Sequence, residues 1–201
     1  MLTRDTLALG LARIADHMDG AADELNALDG QLGDGDLGVT MVRGGRAVRD
    51  LLPDLPADLG QALMQVAQAF TRTSGSSFGT LTATGLMAAA KALKGREAAH
   101  WSELPALLTA AFEMMRSRGK AELGDKTVLD TLHAAATATE GLTDPAQILA
   151  AAQAAVTATM DRMRDHPARI GRARIFGDKS MGLDDPGMRA FHHMLQGLAP
   201  P

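Results

Sequence analysis

Leu7, Leu11, Ile14, Met18, Ala22 and Leu25 recur at steps of three and four residues, the period that lines one face of an α-helix. The same period returns after each break and predicts further helices near 36–52, 57–73, 80–94, 102–117, 126–140, 145–163 and 187–197. Between them stand Pro53 and Pro56, SGSSFG, Gly95, RGKAELGD, TDP and RIGRARIFGDKSMGLDDPG, rich in residues that end helices or turn the chain. Asp144 before Pro145 reads as a cap followed by the first helical residue. No stretch keeps the two-residue alternation of a strand. The pattern predicts an all-α chain: one domain over residues 1–201, a closed bundle of about eight antiparallel helices.

Composition fits this. Hydrophobic residues make up 46% of the chain but aromatics only 3%, so Ala, Leu and Met must fill the core, as close helix packing allows. At 201 residues one domain can bury such a core without staples. The lack of cysteine excludes disulfides and thiolate metal sites and fits a reducing cytosol, so a cytoplasmic setting is expected. A net charge of −4 offers no electrostatic footprint for nucleic acid. The opening MLTRDTLALGLARIADHMDG mixes charges with apolar residues, unlike a signal peptide. No apolar run reaches the ~18 residues of a membrane span.

The candidate chemistry begins in LDGQLGDGDLG, residues 28–38, where Asp29, Asp34 and Asp36 are interleaved with Gly30, Gly33, Gly35 and Gly38. Each glycine costs roughly 1 kcal/mol against alanine inside a helix, so the chain is expected to turn here. Positive φ at glycine lets the later aspartates fold back toward Asp29. Carboxylates so gathered repel unless a cation neutralises them, and Mg²⁺ takes one or two carboxylates together with substrate phosphates. An EF-hand fails by counting: from Asp29 the sixth and twelfth positions are Asp34 and Thr40, and from Asp34 they are Val39 and Gly45, with no closing glutamate. The alternative is a solvated acidic turn capping the next helix.

GSSFG (75–79) matches the nucleophile-elbow pattern with Ser77 as the serine, but the pattern has meaning only between a strand and a helix. The better reading is a turn into the next helix, whose free N–H groups and dipole attract phosphate. GKAELGDKT (119–127) lacks the adjacent Gly-Lys-Ser/Thr of a P-loop; Asp125 is the expected cap of the following helix. GRARIFGDKS (171–180) echoes it: either two turns with like capping chemistry, or two loops meeting over one anion. The six histidines (17, 100, 133, 166, 192 and 193) have no zinc spacing. Arg172 and Arg174 offer phosphate partners.

Taken together, LDGQLGDGDLG with MVRG, TSGSSFGTL, RGKAELGDKTVLDTL and GRARIFGDKSMGLDDPG resemble the L-subunit family of dihydroxyacetone kinases. The resemblance spans residues 28–187. It implies an eight-helix barrel whose ligand loops at one end hold ADP or ATP through two Mg²⁺ ions, with Asp29, Asp34 and Asp36 as metal ligands. The nucleotide would lie among Leu37, Gly38, Thr40, Met41, Ser76, Ser77, Gly119, Thr127, Val128, Arg172, Asp185 and Gly187, under a lid made by the last loop. The ketose would sit on a separate K subunit, so no catalytic side chain is expected on this chain. A phosphotransferase-system protein is implied as the phosphoryl donor to resident ADP, and a homodimer is allowed. Departures from the family pattern are Leu37 in place of histidine, Val39 and Thr40 in the stretch that follows, Phe78 in place of glycine, and Leu123 and Val128 in place of Pro and Met. They leave dihydroxyacetone, erythrulose or another ketose as substrate. Helical domains of the fatty-acid kinase type are similar in fold and metal motif. A nucleotide-responsive regulatory module and a hydrolase using Ser77 are the alternative functions.

Overall fold

The computed structural model describes residues 1–73 and 75–200. Helices α1 (Arg4–Leu32), α2 (Leu37–Leu51), α3 (Leu59–Thr73), α4 (Ser77–Ala92), α5 (Leu104–Gly119), α6 (Val128–Ala138), α7 (Pro145–Arg164) and α8 (Pro186–Gly197) follow the predicted order. Their starts are set by side chains that accept the first free N–H groups. Thr3, Ser76, Thr127, Asp144 and Asp185 each cap the helix that follows, and Pro145 and Pro186 occupy the first helical position.

Each helix packs against the next in sequence, and α8 returns to pack against α1, so the ring is closed. The seam is close. A Cβ on Gly197 would lie 2.9 Å from the His17 side chain and one on Gly10 3.2 Å from Leu198. Because helices alternate in direction, every connection from an odd to an even helix falls at one end of the barrel. Four described segments therefore gather there: 33–36, 75–76, 120–127 and 165–185.

The interior is aliphatic. Met18, Leu25, Met41, Val66 and Phe70 form the main cluster, and Ala135, Val156, Met160 and Met188 line the opposite wall. Leu25 is fully buried, a burial that stabilises by roughly 1.5–3 kcal/mol. Small residues set the helix spacing: Gly38 lies so close to the Ala22 carbonyl that no Cβ fits between them.

Two local expectations are corrected. The glycines do not end the first helix at Asp29: α1 runs through Gly30 to Leu32, and only residues 33–36 turn. Gly35, at φ +76, folds back onto the last turn of α1, where Gly30 gives it room. A minimal sheet also exists, Leu2–Thr3 paired antiparallel with Ala98–Ala99. Among the described residues no helix is long and apolar enough to cross a membrane.

Candidate functional site

The gathered segments surround a cavity of about 500 Å³, within the size range of small-molecule sites. Four of its walls are helix beginnings: Asp36 and Leu37 at α2, Ser76 and Ser77 at α4, Thr127 and Val128 at α6, and Asp185 and Gly187 at α8. Helix N-termini present unpaired N–H groups and the positive end of the dipole, which suits phosphate. Leu81, Met115, Leu129 and Ile170 add an apolar wall fit for a flat base.

Ligand atoms of Asp29, Asp34 and Asp36 lie within 4.8 Å of one another at the mouth. Their division of labour is visible. Asp29 Oδ2 accepts the N–H groups of Asp36 at 3.0 Å and Leu37 at 3.3 Å, and Asn26 Oδ1 accepts that of Val39 at 3.2 Å. The end of α1 thus caps the start of α2. Asp36 stands at the N-cap position and makes no capping bond with its side chain, although capping is the ordinary use of an aspartate there. Asp36 lines the cavity, with a carboxylate oxygen gathered beside those of Asp29 and Asp34 instead. An all-oxygen, anionic donor set fits a hard divalent cation such as Mg²⁺.

Of the residues expected around a nucleotide, Leu37, Ser76, Ser77, Gly119, Thr127, Val128, Arg172, Asp185 and Gly187 line this cavity together with the three aspartates. Gly38, Thr40 and Met41 do not. They are buried in α2, Gly38 against α1 and Met41 in the main core cluster, where they support the loop from behind. Phe78 lies across the cavity wall against Gly187, 3.2 Å from where a Cβ there would stand.

The loop between α5 and α6 is held differently from expectation. Thr127 caps α6, and Asp130 accepts the N–H groups of Gly124 at 2.6 Å and Thr127 at 2.9 Å. Asp125 instead accepts the N–H of Glu122 at 2.8 Å. The Thr-x-x-Asp spacing of a capping box was the available signal for Asp130.

The segment 165–185 borders the cavity through Ile170, Gly171, Arg172, Ala173 and Asp185. Within it a 3₁₀ stretch (Arg172–Ser180), kinked at Gly177, docks through Ala173 and Phe176 on Leu32 of α1, joined there by Ala168 from the chain before it. Arg172 pairs with the Asp34 carboxylate across the mouth, while Arg174 is exposed and outside the cavity lining. The echoing Gly-Asp-Lys loops do meet, but unequally: Lys126 is buried and Lys179 exposed. Asp185 Oδ1 accepts the N–H of Met188 at 2.9 Å. Burial pushes its carboxyl up to about 7, against the pull of the Met188 and Gly187 N–H groups and the Lys126 charge.

Ser77 opens α4 and is reached from α3, not from a strand, so the strand-turn-helix setting of a nucleophile elbow is missing. His17 and His193 sit together at the α1–α8 seam, their ring nitrogens 3.2 Å apart, and neither lines the cavity.

The DAK2 domain model matches residues 31–200. The ADP-binding subunit DhaL of the PEP-dependent dihydroxyacetone kinase of Escherichia coli is 31% identical, over 98% of this chain and 97% of its own length. Human triokinase/FMN cyclase is 33% identical over 96% of this chain, and the chain spans 34% of that longer protein. The crystal structure of C. freundii dihydroxyacetone kinase in complex with AMP-PNP and Mg²⁺ superposes with a TM-score of 0.74 at 28% identity, covering 96% of this chain and 33% of that one.

Proposed function

The chain belongs to the DAK2 domain family as a DhaL-type protein, and from that premise we propose that it is the nucleotide-binding, phosphoryl-transferring subunit of a dihydroxyacetone-type kinase. The observation that carries the reading is one cavity bounded by the acidic triad on one side and helix N-termini on the other. Asp29, Asp34 and Asp36 would hold Mg²⁺, two ions in this reading. The metal supplies neutralisation of phosphate charge and a template for the transfer.

The chain's own residues do the rest. The N–H groups at the starts of α4, α6 and α8 orient the phosphates, and Thr127 and Ser77 add hydroxyls at the same wall. Arg172, carried on the lid and already at the triad, offers a guanidinium to the terminal phosphate. Leu81, Met115 and Ile170 exclude water from the base. Phosphoryl transfer asks mainly for positioning and charge stabilisation, which the acidic triad, the helix N-termini and Arg172 would supply. Dihydroxyacetone or a related ketose would be held by a separate K subunit, in the cytoplasm. A phosphotransferase-system protein would serve as donor if ADP is the resident cofactor.

Calorimetry tests the site. ADP or ATP is expected to bind with Mg²⁺ and not in EDTA, and Asp34→Asn to abolish that binding. Unchanged affinity in the variant overturns the metal reading. Turnover tests the activity: transfer to dihydroxyacetone in the presence of a K subunit supports the kinase. Tight binding without transfer to any ketose supports a nucleotide-responsive module instead.

A further inference from the structure

Lys126 is 1% exposed, more deeply buried than Asp130 and His193. A buried ammonium is costly unless every N–H finds an acceptor. Here all three do, and all three acceptors are backbone carbonyls of one distant segment. Nζ donates to Arg164 O at 2.9 Å, His166 O at 2.8 Å and Ser180 O at 2.8 Å. Arg164 is the last residue of α7, where unpaired carbonyls and the negative end of the dipole favour a cation. Asp184, Asp185 and Asp165 add negative potential that opposes the cost of burial.

Those carbonyls mark the neck of the lid. Its two strands are also joined by Gly182 N–H to Arg164 O at 2.9 Å, by Ala168 N–H to Ser180 Oγ at 2.8 Å, and by Arg164 Nε to Asp184 at 2.9 Å. Arg169 N–H reaches Asp125 O at 3.1 Å, binding the neck to the loop that carries Lys126. The lysine holds this place with φ at +62, a backbone conformation few side chains adopt. It does not line the cavity, and with its protons committed it has none for a phosphate.

We infer that Lys126 is a positioning residue that pins the neck of the lid, and so sets where Arg172 and Asp185 stand over the cavity. The pin joins the α5–α6 loop to the lid, so the cavity wall at Thr127 and the cover above it behave as one body. Its effect on affinity rests on the nucleotide reading; its effect on the lid does not. A preset lid spares the bound state the cost of ordering it.

Hydrogen–deuterium exchange on the wild-type protein without nucleotide is the first measurement. The Arg169 and Gly182 amides are expected to exchange far more slowly than those of 172–179. Equal rates overturn the pin. In Lys126→Met the neck should lose that protection while α1–α4 keep theirs, and Mg-ADP affinity should fall on the order of tenfold or more. Retained protection overturns the pin, and retained affinity with a loosened neck overturns its role in positioning. The chain has no cysteine, so Lys126→Cys, alkylated in denaturant with 2-bromoethylamine and refolded, restores an ammonium at lysine length. Recovery of neck protection and affinity supports the pin; failure of this variant to recover either overturns it. Should the wild type bind no nucleotide, the reading of the cavity fails and the exchange measurements still decide the pin.

Discussion

Asp29 Oδ2 lies 3.0 Å from the backbone nitrogen of Asp36, so one carboxylate of the triad fixes the helix on which another stands. The two aspartates are therefore unequal. Asp29→Ala should cost about 1 kcal/mol of stability as a lost cap, in addition to metal-dependent nucleotide binding. Asp36→Ala should abolish the same binding and leave stability within about 0.5 kcal/mol of wild type, because its side chain caps nothing. Urea denaturation beside calorimetry separates these; equal destabilisation by both would contradict the assignment.

Asp185 gives a pH dependence with a definite sign. Its carboxyl is raised from 3.8 to about 7 in the folded protein. Between those values the native state binds more protons than the unfolded chain, so stability falls as pH rises. The contribution is fully favourable below about pH 4 and lost by the time pH passes about 7. Asp185→Asn keeps an N-cap acceptor and cannot titrate. Subtracting its urea midpoints from those of the metal-free wild type across this range should leave a falling slope. A flat difference would show that the carboxyl is not buried as described.

Gly38→Ala should destabilise by roughly 1–3 kcal/mol through overpacking. The added methyl has to displace the Ala22 carbonyl, which is helix backbone and cannot swing aside. The same change at Gly75, with nothing within 4 Å of its Cβ position, should be nearly silent. Chemical denaturation of the pair checks both.

Ser77 should not react with a fluorophosphonate probe at a rate above that of denatured protein. It sits at the first position of α4, after a helix. Fast, stoichiometric labelling would revive the hydrolase reading.

Much of this was legible because the site is made of helix beginnings. Ser76 reads in sequence as a serine cap at the turn into α4 and lines the cavity, whereas α6 is capped by Thr127 and not by the expected Asp125. Boundaries were harder where packing overrides propensity. Gly30 stays helical because the returning loop at Gly35 lies against it, a contact that helix propensity does not report. Lys126 belongs to a stretch that fails the P-loop pattern. Its partners stand 38, 40 and 54 residues away, and nothing local to GDKT announces them. The closure of α8 on α1 was expected only as a class of fold. Its particular seam, Gly10 and Gly197 against Leu198 and His17, depends on which helix faces meet.

The ring that the eight α-helices of the described residues close has a topological consequence. With an even number of alternating helices, the start of α1 and the end of α8 come to the same pole, the one remote from the cavity. A polypeptide fused at either side would hang from that pole and leave the mouth clear. The same geometry permits circular permutation: a short linker joining the two ends, with new termini opened in the loop between α2 and α3, should preserve both the barrel and its ligand loops.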